Sequence, residues 1–317
     1  MNRQLLMTEF LATPWALMPE RLQTISGVLS RWASGVSAPE DTMIQVHADR
    51  VVRDTRKQMV LANAGNGIAV LPVYGVITQR GNMMNDISGP GSTSTQQFST
   101  ALREAISDDS VSQILIDIDS PGGSVYGVSE LAAEIIQARA QKPITAVANS
   151  LAASAAYWIG SAANEFYVTP GGEVGSIGVW QAHFDYSKAL EEDGIKPTLI
   201  SAGKFKVEGN PYAALDEQAQ AFMQSRVDDY YATFTKGVAK GRGVGIDQVR
   251  SGMGEGRVLG ADAALAQGMV DGIATFDQVI ARMRTAQRSQ QKSQQKGESV
   301  SGRRTRVERA LQDLSLV

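Results

Sequence analysis

The chain has 317 residues, 43% hydrophobic and 20% charged, with a net charge of −3. That is enough for a large core plus appendages, and the charge balance points away from nucleic acid or another polyanion as partner. With no cysteine and only His47 and His183, the composition offers no disulfide framework, no thiol nucleophile and no set of ligands for a multi-histidine metal centre; catalysis is expected to run chiefly on Ser, Lys, Asp, Glu or Tyr, and no metal or other cofactor is expected.

The first apolar run is interrupted by Glu9 and Pro14 and is too short to span a bilayer. Thr13-Pro14 reads as a cap and first helical residue, and Trp15, Met18, Leu22, Ile25, Leu29 and Trp32 recur at helical spacing. The pattern predicts an amphipathic helix over 14–33, then a polar connector to residue 66. From 67 the chain turns dense and β-branched. GIAVLPVYGVIT (67–78) reads as a strand pair, 80–95 as a loop, and Phe98, Leu102 and Ile106 as a helix face. Strands are expected at SQILIDID (112–119), ITAVAN (144–149), EFYV (165–168), GSIGVW (175–180) and PTLIS (197–201). Helices are expected at GVSELAAEIIQARAQ, at AASAAYW, from Leu215 to Val238, and at GADAALAQGMVDGI with its turn. Strands alternating with helices define an α/β domain with largely parallel strands. The tail is rich in Gln, Ser and charge, a composition that does not order itself. The expected organisation is therefore a helical extension and connector (1–66), a main domain (67–284) and a polar, disordered tail (285–317).

Two junctions stand out. In SPGG (120–123), Pro121 fixes one φ and Gly122-Gly123 turn sharply with exposed backbone N–H groups, a nest for an anion or a developing oxyanion. Gly-Gly turns between strand and helix are common, so this signal is weak alone. In SLAASAAYWIG (150–160), Ser154 sits among alanines between a strand and a helix. Taken alone it reads as a small residue at a tight crossing. Together, two junctions from parallel strands meet at one sheet edge, where α/β sites form. A serine nucleophile needs a base, and the candidates are His183, Lys204 and Lys206. The G-x-G-x-x-G fingerprint is absent and GPGSTST (89–95) lacks the lysine of a phosphate loop, which disfavours nucleotide binding.

SPGGSV, NSLAASAAYWIGSAANEFYVTP, GEVGSIGVW, SAGKFKVEGNPY and GRVLGADAALAQGMVDGI, in this order from about 67 to 275, resemble the S49 serine peptidase family. That family includes signal peptide peptidase A and phage head proteases. The resemblance implies a crotonase/Clp-protease-like superhelix of parallel strands and helices. It implies Ser154 as nucleophile, Lys206 as general base, Ser176 as the residue orienting that lysine, and the amides of Gly123 and Ala155 as oxyanion donors. AASAA departs from the AASGG of many members, but Ala155 keeps its N–H. It further implies a homo-oligomer in which a neighbouring subunit donates the lysine.

No membrane anchor is visible in the sequence, and the N-terminal helix and KVEGN look more like the phage branch. The expected protein is a soluble Ser-Lys endopeptidase of the host cytoplasm or a phage procapsid, acting on extended segments of scaffold, portal or capsid proteins. The chain runs only to Val317, so self-processing is expected to be limited to the Gln/Ser tail. The alternatives are a cytoplasmic housekeeping peptidase and a non-catalytic capsid or scaffold protein of the same fold.

Overall fold

The structure is a computed structural model that describes residues 14–18, 67–80 and 92–289. The chain divides into two compact units, 1–273 and 274–317.

In the first unit, the apolar runs become a central sheet. Its strands are β2 (Ile68–Tyr74), β5 (Gln113–Ser120), β7 (Ile144–Ala153), β8 (Glu165–Val168), β9 (Glu173–Gly175), β10 (Val258–Gly260) and β11 (Gly272–Ile273). β2, β5 and β7 run parallel. β7 then serves two partners, pairing parallel with β8 through Thr145–Ala148 and with β9 through Leu151–Ala153. A bulge makes this possible: Ile118 pairs with Ala148, but Ser120 pairs with Ala152. Such irregularities bend a strand and re-aim its end. β9 pairs antiparallel with β10, and β8 parallel with β11. The near-continuous buried pattern of β5 is that of a strand covered on both faces. The α/β class with mostly parallel strands is as expected.

A smaller sheet has the order β1 (Trp15–Leu17), β6 (Gly122–Ser124), β3 (Val76–Thr78), β4 (Ser92–Ser94). Here the structure corrects two expectations. Residues 92–94 form a strand rather than loop. Trp15–Leu17 is also a strand and not the start of a helix, because it lies between two unpaired backbone edges. Tertiary pairing overrides the local helical spacing. The rest of the expected helix and the connector fall outside the described residues.

Helices cover the main sheet. α1 (Thr95–Ser107) buries Phe98, Leu102 and Ala105. α2 (Val128–Ala138) buries Leu131, Ala132 and Ile135. α3 (Ala155–Ser161) is buried on every side. α4 (Ser187–Glu192) is short, and α5 (Glu217–Arg242) is the long helix read from the sequence. α6 (Ile246–Gly252) and α7 (Ala261–Ala266) follow. α5 lies close on α3, where Trp158 and Phe234 stack with ring centroids 4.7 Å apart. A Cβ at Gly237 would lie 2.2 Å from Trp158 Nε1, so the approach requires glycine.

Asp271 ties the far end together. It accepts both Arg242 guanidinium nitrogens at 2.8 Å and the Phe166 amide at 2.7 Å. Partial burial acts to raise its carboxyl, but the bonds from Arg242 and Phe166 outweigh it and hold the group below the usual carboxylate range.

PTLIS does not form a strand. Residues 195–206 are exposed, with Ile200 96% accessible. In the second unit, residues 276–289 are helical, opened by a capping box between Thr275 and Gln278. The tail thus stays ordered through residue 289, past the expected boundary at 285. Residues 290–317 lie outside the described residues.

Candidate active site

Ser154 lies where the bulged end of β7 meets α3. Its amide donates to the Gly175 carbonyl at 2.7 Å, and its own carbonyl accepts from Trp158 N at 3.0 Å. Its backbone sits at φ 56°, ψ −117°, the first central position of a type II′ turn, which glycine usually fills. A non-glycine residue held there stores strain on the order of 1–3 kcal/mol, and such strain clusters at functional sites. The residue is 1% accessible, and its hydroxyl makes a long contact, 3.4 Å, to the Gly178 carbonyl.

Ser176 stands alongside. Ala153 pairs with Gly175 across β7 and β9, so the next residues on each strand, Ser154 and Ser176, leave the sheet side by side. Ser176 is also at positive φ (54°), and its amide donates to Arg257 O at 2.7 Å. Among the described non-glycine residues, only Ser154, Ser176 and Glu255 have positive φ. Two of the polar residues singled out from the sequence, Ser154 and Ser176, are therefore strained neighbours.

The SPGG junction closes the third side. A Cβ at Gly122 would lie 3.0 Å from Ser154 Cβ and 2.2 Å from the Ala16 carbonyl, and one at Gly123 would lie 1.9 Å from the Ile77 carbonyl. Both positions therefore need glycine. Ser120 pins the turn: its hydroxyl donates to Gly75 O at 2.6 Å and accepts from Gly122 N at 3.2 Å. SPGG was read for its glycines, so the part played by its serine was missed, although it stands in the same motif. Trp180 was missed too, and no local signal marks it.

Lys206 is exposed in a turn, its amide donating to Gly203 O at 3.1 Å. Lys204 is exposed and lies over the Phe205 ring, 4.8 Å from its centroid. His183 is held by its Nε2 against the Asn210 carbonyl at 3.0 Å. The structure thus gathers Ser154, Ser176, Ala155 and the two glycines, and shows no bond from Ser154 to Lys206 or His183. The expected GSIGVW strand ends early: β9 stops at Gly175, and residues 176–179 run on without strand pairing to an isolated bridge at Trp180. Among the described residues no helix is long and apolar enough to cross a membrane.

Residues 136–290 match the family description "Peptidase family S49", and the chain belongs to that family. It is 37% identical over 221 residues to the capsid assembly protease C of Escherichia phage lambda, covering 70% of this chain and 49% of that protein. It is 33% identical over 264 residues to the head-tail preconnector protein GP5 of Enterobacteria phage P21, covering 81% of this chain and 52% of that one. The chain spans about half the length of these relatives. Among solved structures, a ClpP1 mutant from Listeria monocytogenes superposes with a TM-score of 0.41 at 15% identity, covering 70% of this chain and 99% of the other.

Proposed function

We propose that this chain is a serine-type endopeptidase with Ser154 as nucleophile, working in a phage or prophage head module on scaffold, portal or capsid proteins. The observation that carries the reading is the strained Ser154 at the β7–α3 junction, with Ser176 beside it and Gly122-Gly123 against it. The serine oxygen attacks a peptide carbonyl, and its proton passes to a base. The amides of Gly123 and Ala155 receive the negative charge that develops on the carbonyl oxygen. As the C–N bond breaks, the base passes that proton to the departing amine, leaving an acyl-enzyme; water then attacks the ester, its proton passing through the base to the serine oxygen, and the acid product leaves.

The base in this reading is Lys206 of a neighbouring copy, oriented by Ser176. Within one chain Lys206 is exposed, so the water-excluded surroundings of a catalytic pair must come from another copy. Its surroundings support docking of a second copy: Ile195, Leu199, Ile200, Phe205 and Tyr212 are large exposed apolar groups in the same segment. Assembly buries that segment and completes the site in one event.

A fluorophosphonate probe should label the protein at Ser154, located by peptide mapping, and Ser154→Ala should abolish both labelling and peptide cleavage. Labelling elsewhere, or cleavage by the variant, overturns the assignment. Genes for portal and capsid proteins beside this one are the expected neighbourhood, and their absence there would favour a housekeeping peptidase.

A further inference from the structure

Residues 14–18 lie in the cleft beside Ser154. On one side β1 runs antiparallel to β6, pairing Trp15 with Ser124, Ala16 with Gly123 and Leu17 with Gly122. Flanking bonds extend the ladder, from Met18 N to Pro121 O (3.2 Å) and from Val125 N to Pro14 O (3.4 Å). On the other side Trp15 and Trp180 exchange both backbone bonds, 2.9 and 3.0 Å, and Trp180 Nε1 donates to the Leu17 carbonyl at 2.8 Å. The segment ending at Trp180 is the one whose Gly178 carbonyl contacts the Ser154 hydroxyl. The Ala16 carbonyl and Ser154 Cβ crowd the same point beside Gly122. Trp15, Ala16 and Leu17 are all buried.

We propose that the cleft between β6 and Trp180 is a binding site for an extended peptide, and that residues 14–18 of this chain are its resident occupant. Three features distinguish an occupant from a fixed strand. The segment is three residues of strand held between two backbone edges, the arrangement by which a peptide is bound through strand addition. The strained serine beside it is only 1% accessible with the segment in place, although that serine must meet a carbonyl from outside to react. Gly122, moreover, is the residue whose missing side chain admits the Ala16 carbonyl next to the serine, the space a scissile carbonyl requires. The ligand class follows from the occupant: an extended segment with a small residue opposite Gly123 and bulky apolar residues on both sides. While seated, the occupant competes with substrate. If it fills the cleft about nine-tenths of the time, it weakens apparent peptide affinity about tenfold.

This inference rests on the proposed serine peptidase site, but its test reads binding rather than turnover. The probe is a fluorescein-labelled peptide of sequence ATPWALMPE, titrated by anisotropy into full-length protein carrying Ser154→Ala. Adding Leu17→Asp places a carboxylate in a buried position and should expel the segment, tightening peptide binding about tenfold. Without that second substitution, saturating peptide should speed hydrogen exchange at residues 15–18 and leave β5 unchanged. Unchanged or weaker peptide binding by a folded Leu17→Asp protein, with unchanged exchange at 15–18, overturns the proposal. Failure of Leu17→Asp to fold, again with unchanged exchange, shows a fixed structural strand and overturns it too. Peptide binding in these assays, together with no cleavage of any peptide by the assembled protein with Ser154 intact, refutes the peptidase reading and leaves the cleft standing.

Discussion

The junction around Ser154 and the segment around Lys206 are built in opposite ways. At the junction almost every atom is buried and placed by bonds to β5, β6 and β9, down to two serines held at positive φ. From residue 195 to 206 every residue is exposed, and the apolar side chains meet water. The same chain has finished one half of a proposed catalytic pair and left the other half open. A region finished within the chain should respond to substitution through folding and chemistry together. An unfinished one should respond through assembly alone.

The largest expected effect tests this division directly. Ser154→Ala and Lys206→Ala should each lose activity on the order of 10⁶-fold, the scale for a triad-type group, while His183→Ala and Lys204→Ala keep substantial activity. Mixing the two dead proteins under conditions of subunit exchange should restore part of the activity. Continued inactivity at every ratio, with exchange shown by a tagged subunit, would place both groups in one chain and break the comparison.

Next in size is Gly123→Ala. The added methyl would meet the Ile77 carbonyl at 1.9 Å, so overpacking should cost about 1–3 kcal/mol, read as a lowered midpoint in urea. A neutral result would mean that the junction gives way more easily than its burial suggests.

Asp271→Asn should have a smaller effect, confined by pH. The folded carboxyl titrates below its unfolded value of about 3.9. Its contribution is therefore complete above that value and is lost as pH falls through the folded value. Thermal melts should show the variant less stable at pH 7, with the gap narrowing below about pH 4. A gap that is constant with pH would assign the loss to packing.

The smallest effect on folding is expected at Ile200→Asp. At 96% exposure, the stability of the single chain should move by no more than about 0.5 kcal/mol. Sedimentation should nevertheless show smaller assemblies, and complementation between the two dead variants should weaken. A large loss of stability in the isolated chain would sharpen the picture differently, by showing that this segment already packs within its own subunit.

The same division explains what the sequence made legible. Buried strands and helices kept their periodic patterns, so β5, β8, α1, α2 and α5 were readable, and SPGG and AASAA led to the glycines and serines that meet. PTLIS failed because its apolar run has no buried place within one chain. Residues 14–17 failed because helical spacing is local, whereas the edges that capture them come from residues 122–124 and 180, far away in sequence. Trp180 could not be found for the same reason, since its importance lies in what it faces. Lys206 stood among three candidate bases on the sequence alone and was singled out only through family resemblance, and its role remains a proposal.

The positive φ values of Ser154 and Ser176 carry a consequence for how such a protein can be improved. Glycine would adopt both conformations without strain, at an entropic cost of about 0.5–1 kcal/mol against relief of about 1–3 kcal/mol. A laboratory search for heat resistance, blind to turnover, should therefore be drawn to glycine at 154 and 176, and each success there would remove a hydroxyl from the site. Selection that scores survival at temperature and selection that scores cleavage should part company at these two positions before they do so in the buried sheet.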